Sequence, residues 1–433
     1  MLNHSLPATS DVVVIGGGAV GVSTAYALAR RGVAVVVIER GRLGSGASAG
    51  TACMVTLGHS ERLASPAALR EGMRNLFDSE APVALHLRPA VLPWLARFAA
   101  ASLRGAAADE GTAHLRKLSR RSLDAHRRWN GEVGTGLVEE GTLNVWTGPD
   151  GFAARDAMVR EQRAAGLSLT ELSAADIREL EPLVLDAVCG VLSTDDAHVD
   201  SLQFVERIAE GARSQGSVIC EGAEVLHVDR RGGGIRVDTT RGVITCSQLV
   251  LAAGIWSRRF EDDLGIGLPL TSAKGYHVEF DGLGRQARRP IYLSEDRVVA
   301  TPLAGRLRLA GTLEIGTDPD LINQPRIEAV RRAGERRLAG LAGQSPSRVW
   351  MGLRPMSVDG MPLIGPVPND PRVILAVGHG MLGITLAPIT AELVADHVTG
   401  VADGIDPLLD PGRFRSGFRD GLRDARLRHR QVG

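Results

Sequence analysis

Gly16, Gly18 and Gly21 stand in G-x-G-x-x-G spacing, and Glu39 follows at the end of a second apolar run. Those residue types, so spaced, suit a dinucleotide. The first glycine permits a tight turn, the second lets a pyrophosphate approach the backbone, and the third lets a helix lie close to the preceding strand. A carboxylate at Glu39 can accept hydrogen bonds from the adenosine ribose and would repel a 2′-phosphate, which argues against NADP. Just beyond it, small residues over 44–50 leave backbone N–H groups and the Ser45 and Ser48 hydroxyls able to reach an anionic ligand. FAD and NAD both remain open at this point.

Strand, turn, helix and strand must follow in succession to position these groups. Residues 12–15 are a continuous apolar run, as in a parallel strand buried on both faces. Residues 20–31 carry helical apolar spacing, and Gly32 supplies the stop. Residues 33–38 then form a second strand that delivers Glu39. The apolar character of 11–29 could suggest a membrane span, but its glycines and strand–helix–strand order oppose that reading, and the first ten residues lack a signal-peptide pattern.

A length of 433 residues predicts two or three domains with an ample core, and 44% hydrophobic with 23% charged residues is the composition of a soluble globular protein. Formal net charge is zero, so no global field directs the chain to nucleic acid or to a membrane. The predicted location is cytoplasmic. Cys53, Cys189, Cys220 and Cys246 are far apart and form no C-x-x-C, so they read as buried free thiols, with neither a disulfide framework nor a metal site proposed. Lysine occurs only at Lys117 and Lys274 while arginine abounds, so a single arginine carries little information by itself.

Further along, 61–128 reads as interrupted helices covering one face of a second domain, broken at Pro89 and Pro93. Trp94 and Phe98 read as core. Ser173 and Asp176 resemble a capping pair, and a helix is expected from about Ser201. Short strands follow over 218–245, with 232–234 as a hairpin turn. LVLAAGIWS then resumes the first sheet after an insertion, so the domains are discontinuous. Residues 268–309 alternate with period two and predict an antiparallel sheet. An arginine-rich helix spans 327–341, and the apolar strand VILAVG leads into a glycine loop and a helix ending near Gly400. The tail from Arg413 holds seven arginines against two aspartates and reads first as a solvated helix, with an acidic partner or a membrane surface as the alternative.

With these residues in view, the sequence resembles the D-amino-acid oxidase-like FAD oxidoreductases, most closely the bacterial D-amino-acid dehydrogenase branch, with glycine oxidase and sarcosine oxidase more distant. The resemblance covers nearly the whole chain. It rests on GGGAVG with Glu39-Arg40, GASAG, LVLAAGIWS, KGYHVEF, AGTLEIG, GLRPMSVDGMPLIGP and GHGMLGITLAP. It implies FAD rather than NAD, held non-covalently because the family's covalent attachment positions have no match here. The implied fold is α/β: an FAD-binding Rossmann-like domain of the glutathione-reductase type, plus a substrate domain with a large antiparallel sheet covered by helices. The implied division gives 1–80, 190–265 and 350–433 to the FAD domain and 81–189 and 266–349 to the substrate domain.

The resemblance also assigns residues. Gly16, Gly18, Ala19, Val20 and Gly21 match the pyrophosphate turn, Glu39 and Arg40 the ribose end, and Ser48 the loop beside the flavin. Val225 falls where backbone meets the adenine, and Ala253, Gly254 and Trp256 match a turn near the dinucleotide. Gly380, Met381, Leu382, Gly383 and Ile384 match the loop and helix start that face the flavin pyrimidine. Arg354 matches the arginine that holds the substrate carboxylate, for which a guanidinium fork is suited. Tyr276 is a candidate for shaping the pocket, with Lys274 as readily structural. His379 reads equally as an active-site group or a neutral core histidine. The second substrate arginine of glycine oxidase-like members falls near Met381, so a second anchor must come from elsewhere.

The implied reaction is oxidative deamination of a D-amino acid or cyclic D-amino acid, by hydride transfer from Cα to flavin N5 and hydrolysis of the imine to a 2-oxo acid. Its alternatives are an N-methyl amino acid or 2-hydroxy acid as substrate, and a non-catalytic flavoprotein subunit of an electron-transfer assembly. The implied partners are an amino acid and an electron acceptor. Oxygen or a quinone chain would serve, and the latter would bring the protein peripherally to the inner face of the cell membrane.

Overall fold

Strand Thr9–Ile15 pairs in parallel with Val35–Glu39 on one side and with Gly242–Leu251 on the other. Its pleat sends Val12 and Val14 to one core and Val13 and Ile15 to another, which is why the run carries no polar residue. The computed structural model to which these strands belong describes residues 6–74, 82–284, 286–318, 320–401 and 404–414. The expected tail helix lies outside the described residues.

Gly242–Leu251 is long enough to serve several neighbours. Its first half pairs antiparallel with Ile235–Thr239, and Leu249–Leu251 pair in parallel with Asp370–Val377. The eight-stranded sheet therefore joins segments from three distant parts of the chain. Helices Ala19–Ala29, Ser201–Ser214 and Gly383–Val398 bury their apolar sides against one face. Asp200 caps the second of these by accepting from Leu202 N at 3.0 Å.

Helix Gly105–Val133 differs from expectation in place as well as length. Leu115, Leu118, Leu123 and Trp129 bury it in the first sheet's helical core, where Trp129 meets Tyr26 edge-on at 5.2 Å. A polar contact adds to this apolar docking. Pro388 lies inside helix Gly383–Val398 and has no N–H to give to Ile384, one turn earlier. His126 donates from Nε2 to that Ile384 carbonyl at 3.0 Å. Burial pulls the imidazole down to about pKa 4, so it bonds as the neutral form.

The second sheet runs Arg348–Ser357, Leu270–Asp281, Arg306–Ile315, Val298–Leu303, Ile291–Leu293, Thr142–Trp146, Cys189–Ser193 and Leu169–Ser173, with Val83–Leu85 joining Arg306–Ile315 from the side. The chain is thus mixed α/β with two large sheets. Helix Gln324–Arg337 covers one face of the second, packing Ile327, Val330 and Ala333 on Val278, Phe280 and Leu309. Pro93 sits in the first turn of helix Leu92–Ser102 and starts that helix rather than breaking it. Trp94 and Phe98 are buried and stacked at 5.0 Å, and Ser173 with Asp176 forms a capping box. The four cysteines are free and buried. Among the described residues no helix is long and apolar enough to cross a membrane.

Candidate functional site

A cavity of about 760 Å³ is lined from both sheets. At one end Gly16 has φ 110°, and a Cβ there would lie 2.6 Å from the Ala252 carbonyl oxygen. A Cβ on Gly21 would lie 1.9 Å from the Gly16 oxygen, so only glycine lets the helix start this close to the strand end. Glu39 braces the turn, accepting from Gly17 N at 2.7 Å and Gly41 N at 2.8 Å. Helix Ala19–Ala29 has no side-chain cap at Gly18, although Ser48 Oγ accepts from Ala19 N at 3.0 Å. Beside it the Arg40 guanidinium lies 4.3 Å over the Trp256 ring, and Arg259 pairs with Glu224.

At the other end, helix Gly383–Val398 also begins without a side-chain cap, at Leu382, with the preceding loop held by Gly380 N donating to the Pro355 carbonyl at 3.0 Å. The cavity therefore runs between two helix N-termini, each a source of free N–H groups and positive potential. An extended, anionic dinucleotide fits that arrangement: pyrophosphate at the first terminus and an electron-accepting ring at the second.

Arg354 lies on the cavity wall. Its guanidinium is laid flat over Gly275, where a Cβ would come within 2.2 Å of it, and donates to the Thr312 carbonyl at 2.8 Å and the Lys274 carbonyl at 3.3 Å. No carboxylate among the described residues pairs with it, and burial draws its pKa down to about 10. A half-buried cation held by neutral carbonyls and open to a cavity is suited to receive an anion. Trp350 forms the neighbouring wall, its ring filling the space of the Cβ that Gly50 and Gly352 lack and stacking on His277 at 5.2 Å.

The chain belongs to the FAD-dependent oxidoreductases. Residues 11–397 match the family model described as FAD dependent oxidoreductase (DAO). A D-amino acid dehydrogenase of Agrobacterium fabrum (strain C58 / ATCC 33970) is 30% identical over 409 residues, 92% of this chain and 97% of that one. A glycine oxidase of Bacillus licheniformis is 29% identical over 394 residues, 90% of this chain and 93% of that one. Among solved structures, glycine oxidase from Geobacillus kaustophilus superposes with a TM-score of 0.73 at 23% identity, covering 93% of this chain and 97% of that one. L-proline dehydrogenase from P. horikoshii gives 0.73 at 22% identity, covering 95% and 99%. FAD is accordingly the cofactor of this oxidoreductase.

The structure brings most of the residues named from sequence to this one cavity. Gly16, Gly18, Ala19, Val20, Glu39, Arg40, Ser48, Val225, Ala253, Gly254, Trp256, Arg354, His379 and 380–384 all line it. Gly21 acts from behind, through helix packing. Tyr276 is not brought to the cavity. Successive strand residues face opposite sides, and it is Gly275 that faces the cavity, so Tyr276 points under helix Gln324–Arg337 and donates to Glu314 Oε2 at 2.8 Å. Lys274 is buried and donates to the Leu321 carbonyl at 2.6 Å. Gly275, Thr312 and Trp350 were missed. Glycine within a strand marks a close approach, and Gly275 and Gly352 carried that signal.

His379 shares a hydrogen bond of 2.9 Å between its Nε2 and Thr390 Oγ1. Burial lowers its pKa to about 4, so it is neutral at neutrality. His379→Gln is expected to leave the pH dependence of kcat without change near about pH 6.5, the ordinary histidine range. A profile limb that disappeared with the imidazole would make it an acid–base group.

Proposed function

We infer that the protein dehydrogenates the Cα–N bond of a D-amino acid, cyclic ones included, using non-covalently held FAD. The observation that supports this most directly is Arg354, a cavity-facing guanidinium whose hydrogen bonds go to backbone carbonyls rather than to a carboxylate. Relatives at about the 30% level that bear D-amino acid dehydrogenase names point to the same substrate class.

When bound, FAD supplies the hydride acceptor. The protein's own residues supply everything else. Arg354 takes the α-carboxylate through two N–H donors, and the Thr312 and Lys274 carbonyls fix the plane of that fork. Holding the carboxylate fixes the direction of the Cα–H bond, which is the main work of such a site. Burial makes His379 a weak base and its Nε2 is tied to Thr390, so the amine enters in its neutral form rather than losing a proton to this imidazole. The uncapped start of helix Gly383–Val398 offers N–H donors where negative charge must be stabilised.

Anaerobic titration of the flavin with D-, L- and N-methyl amino acids and 2-hydroxy acids tests the reading. D-amino acids are expected to bleach it. Bleaching by L- or N-methyl compounds alone would move the substrate class, and no bleaching by any of them would leave only a structural role for the flavin.

A further inference from the structure

One transverse row of the second sheet crosses the cavity. Trp350 pairs with His277, His277 with Ala310, Ala310 with Val299, Val299 with Tyr292, and Tyr292 with Asn144. Residues paired in this way face the same side of a sheet. Trp350, Ala310, Val299 and Tyr292 line the cavity, so the floor between the two aromatic residues is small and apolar. Arg354 lies at the Trp350 end, its guanidinium over Gly275. From the strand of Gly275 to that of Tyr292 is three strand intervals, about 14 Å at the usual spacing.

At the far end His59 packs on Tyr292 with ring centroids 4.5 Å apart, and its Nε2 lies 2.9 Å from Asn144 Oδ1. Asn144 is fully buried, and its amide can be oriented in only one way. Nδ2 faces the Val191 carbonyl at 3.5 Å and Ser193 Oγ at 3.3 Å, and a carbonyl only accepts. Oδ1 therefore faces His59, so Nε2 carries the proton and donates. In the neutral ring Nδ1 is then a bare acceptor. No group among the described residues bonds it, and it is not sealed from the cavity that His59 lines. Glu61, which pairs with Arg116 at 3.4 Å, and Arg297 bring both signs of charge to this end of the cavity.

We propose that His59 reads the far end of the substituent on the substrate's Cα, accepting a hydrogen bond at Nδ1 from an O–H or N–H donor, with Asn144 as the positioning residue that fixes its tautomer. The proposal rests on the amino-acid reading above. With the carboxylate on Arg354, a substituent must be several atoms long to reach His59, and the Ala310–Val299 floor gives a flat one room beside Tyr292. An aromatic D-amino acid with a donor on its ring meets both conditions. A substituent without a donor displaces water from Nδ1 and leaves that acceptor unmet.

The test uses the FAD-loaded enzyme at about pH 8.5, above the ordinary histidine range. D-tyrosine and 4-amino-D-phenylalanine carry a donor on the ring, whereas D-phenylalanine and 4-fluoro-D-phenylalanine do not. In parallel, calorimetry compares binding of 3-(4-hydroxyphenyl)propionate with 3-phenylpropionate, the deaminated counterparts of D-tyrosine and D-phenylalanine. The wild type is expected to favour the donor member about tenfold in both formats, the scale of one hydrogen bond. His59→Phe, which keeps a ring against Tyr292, is expected to bring the ratio close to one, and Asn144→Leu to lower it. The ratio is the readout, so a general loss of activity does not imitate the effect. Equal handling of the donor and donor-free members by the wild type, or a ratio that survives either substitution, overturns the proposal. Oxidation of D-alanine but of no aromatic D-amino acid also overturns it, and leaves the reaction assigned above standing. Selective binding of the hydroxyphenyl acid with no amino acid oxidised would instead uphold the subsite and sink that reaction.

Discussion

Arg354→Ala is expected to lower kcat/KM for the amino-acid substrate by about 10²- to 10³-fold, with the flavin still bound and its spectrum unchanged. The loss corresponds to about 3–4 kcal/mol, the range for removing one member of a buried charge pair. Most of it should appear in KM, because the fork acts on the carboxylate in ground state and transition state alike. Arg354→Lys should recover little. An ammonium cannot donate to the Thr312 and Lys274 carbonyls and still present two parallel N–H groups to a carboxylate. Unchanged steady-state kinetics in Arg354→Ala would remove the anchor and with it the main support for an amino-acid substrate.

A stability measurement separates this role from an ordinary structural one. The guanidinium's pKa is pulled down to about 10 by burial, with no opposing carboxylate among the described residues. Since the folded value lies below the unfolded one, the charged form is disfavoured by folding, and the penalty is present at neutrality and relieved only as pH rises through about 10. Arg354→Met should therefore hold or raise the melting temperature while losing catalysis, the pattern of a residue kept for function at the expense of stability. A substrate-like carboxylate should stabilise the wild type and leave Arg354→Met unmoved.

The glycine turn was legible in the sequence because each of its residues answers a local constraint. Gly16 meets a backbone dihedral, Gly21 a contact within its own strand–helix unit, and Glu39 two N–H groups within the same unit. Residues whose roles depend on tertiary register were not. Tyr276 and Gly275 are neighbours in sequence, and only the pleat of strand Leu270–Asp281 decides which of them faces the cavity. Helix Gly105–Val133 has an apolar stripe, which does not by itself name the sheet it packs on. Its partners there, Tyr26 and the Ile384 carbonyl left open by Pro388 among them, lie far away in the chain. Arg297 was one arginine among many until the fold gave it a left-handed backbone and a place on the cavity wall.

Gly21→Ala is expected to yield protein with little bound flavin and a stability lower by about 1–3 kcal/mol, the range for overpacking a filled site. The new methyl would stand 1.9 Å from the Gly16 carbonyl oxygen, so helix or turn must move by about 1.5 Å to reach ordinary contact. Neither has room to move freely. Gly16 is itself held against Ala252, Gly17 N is bonded to Glu39, and Ala19 N is bonded to Ser48. Gly18→Ala makes the informative comparison. Its methyl would meet only the Ser48 hydroxyl, at 3.2 Å, and that side chain can turn aside. The Gly18 variant should keep nearly normal thermal stability without cofactor yet bind FAD more weakly, since the methyl stands where a pyrophosphate must approach the backbone. Flavin absorbance per protein and melting curves of the cofactor-free forms separate the two. If Gly18→Ala proved the more destabilising, the close approach of helix Ala19–Ala29 to the Gly16 carbonyl would not be what Gly21 is there to permit.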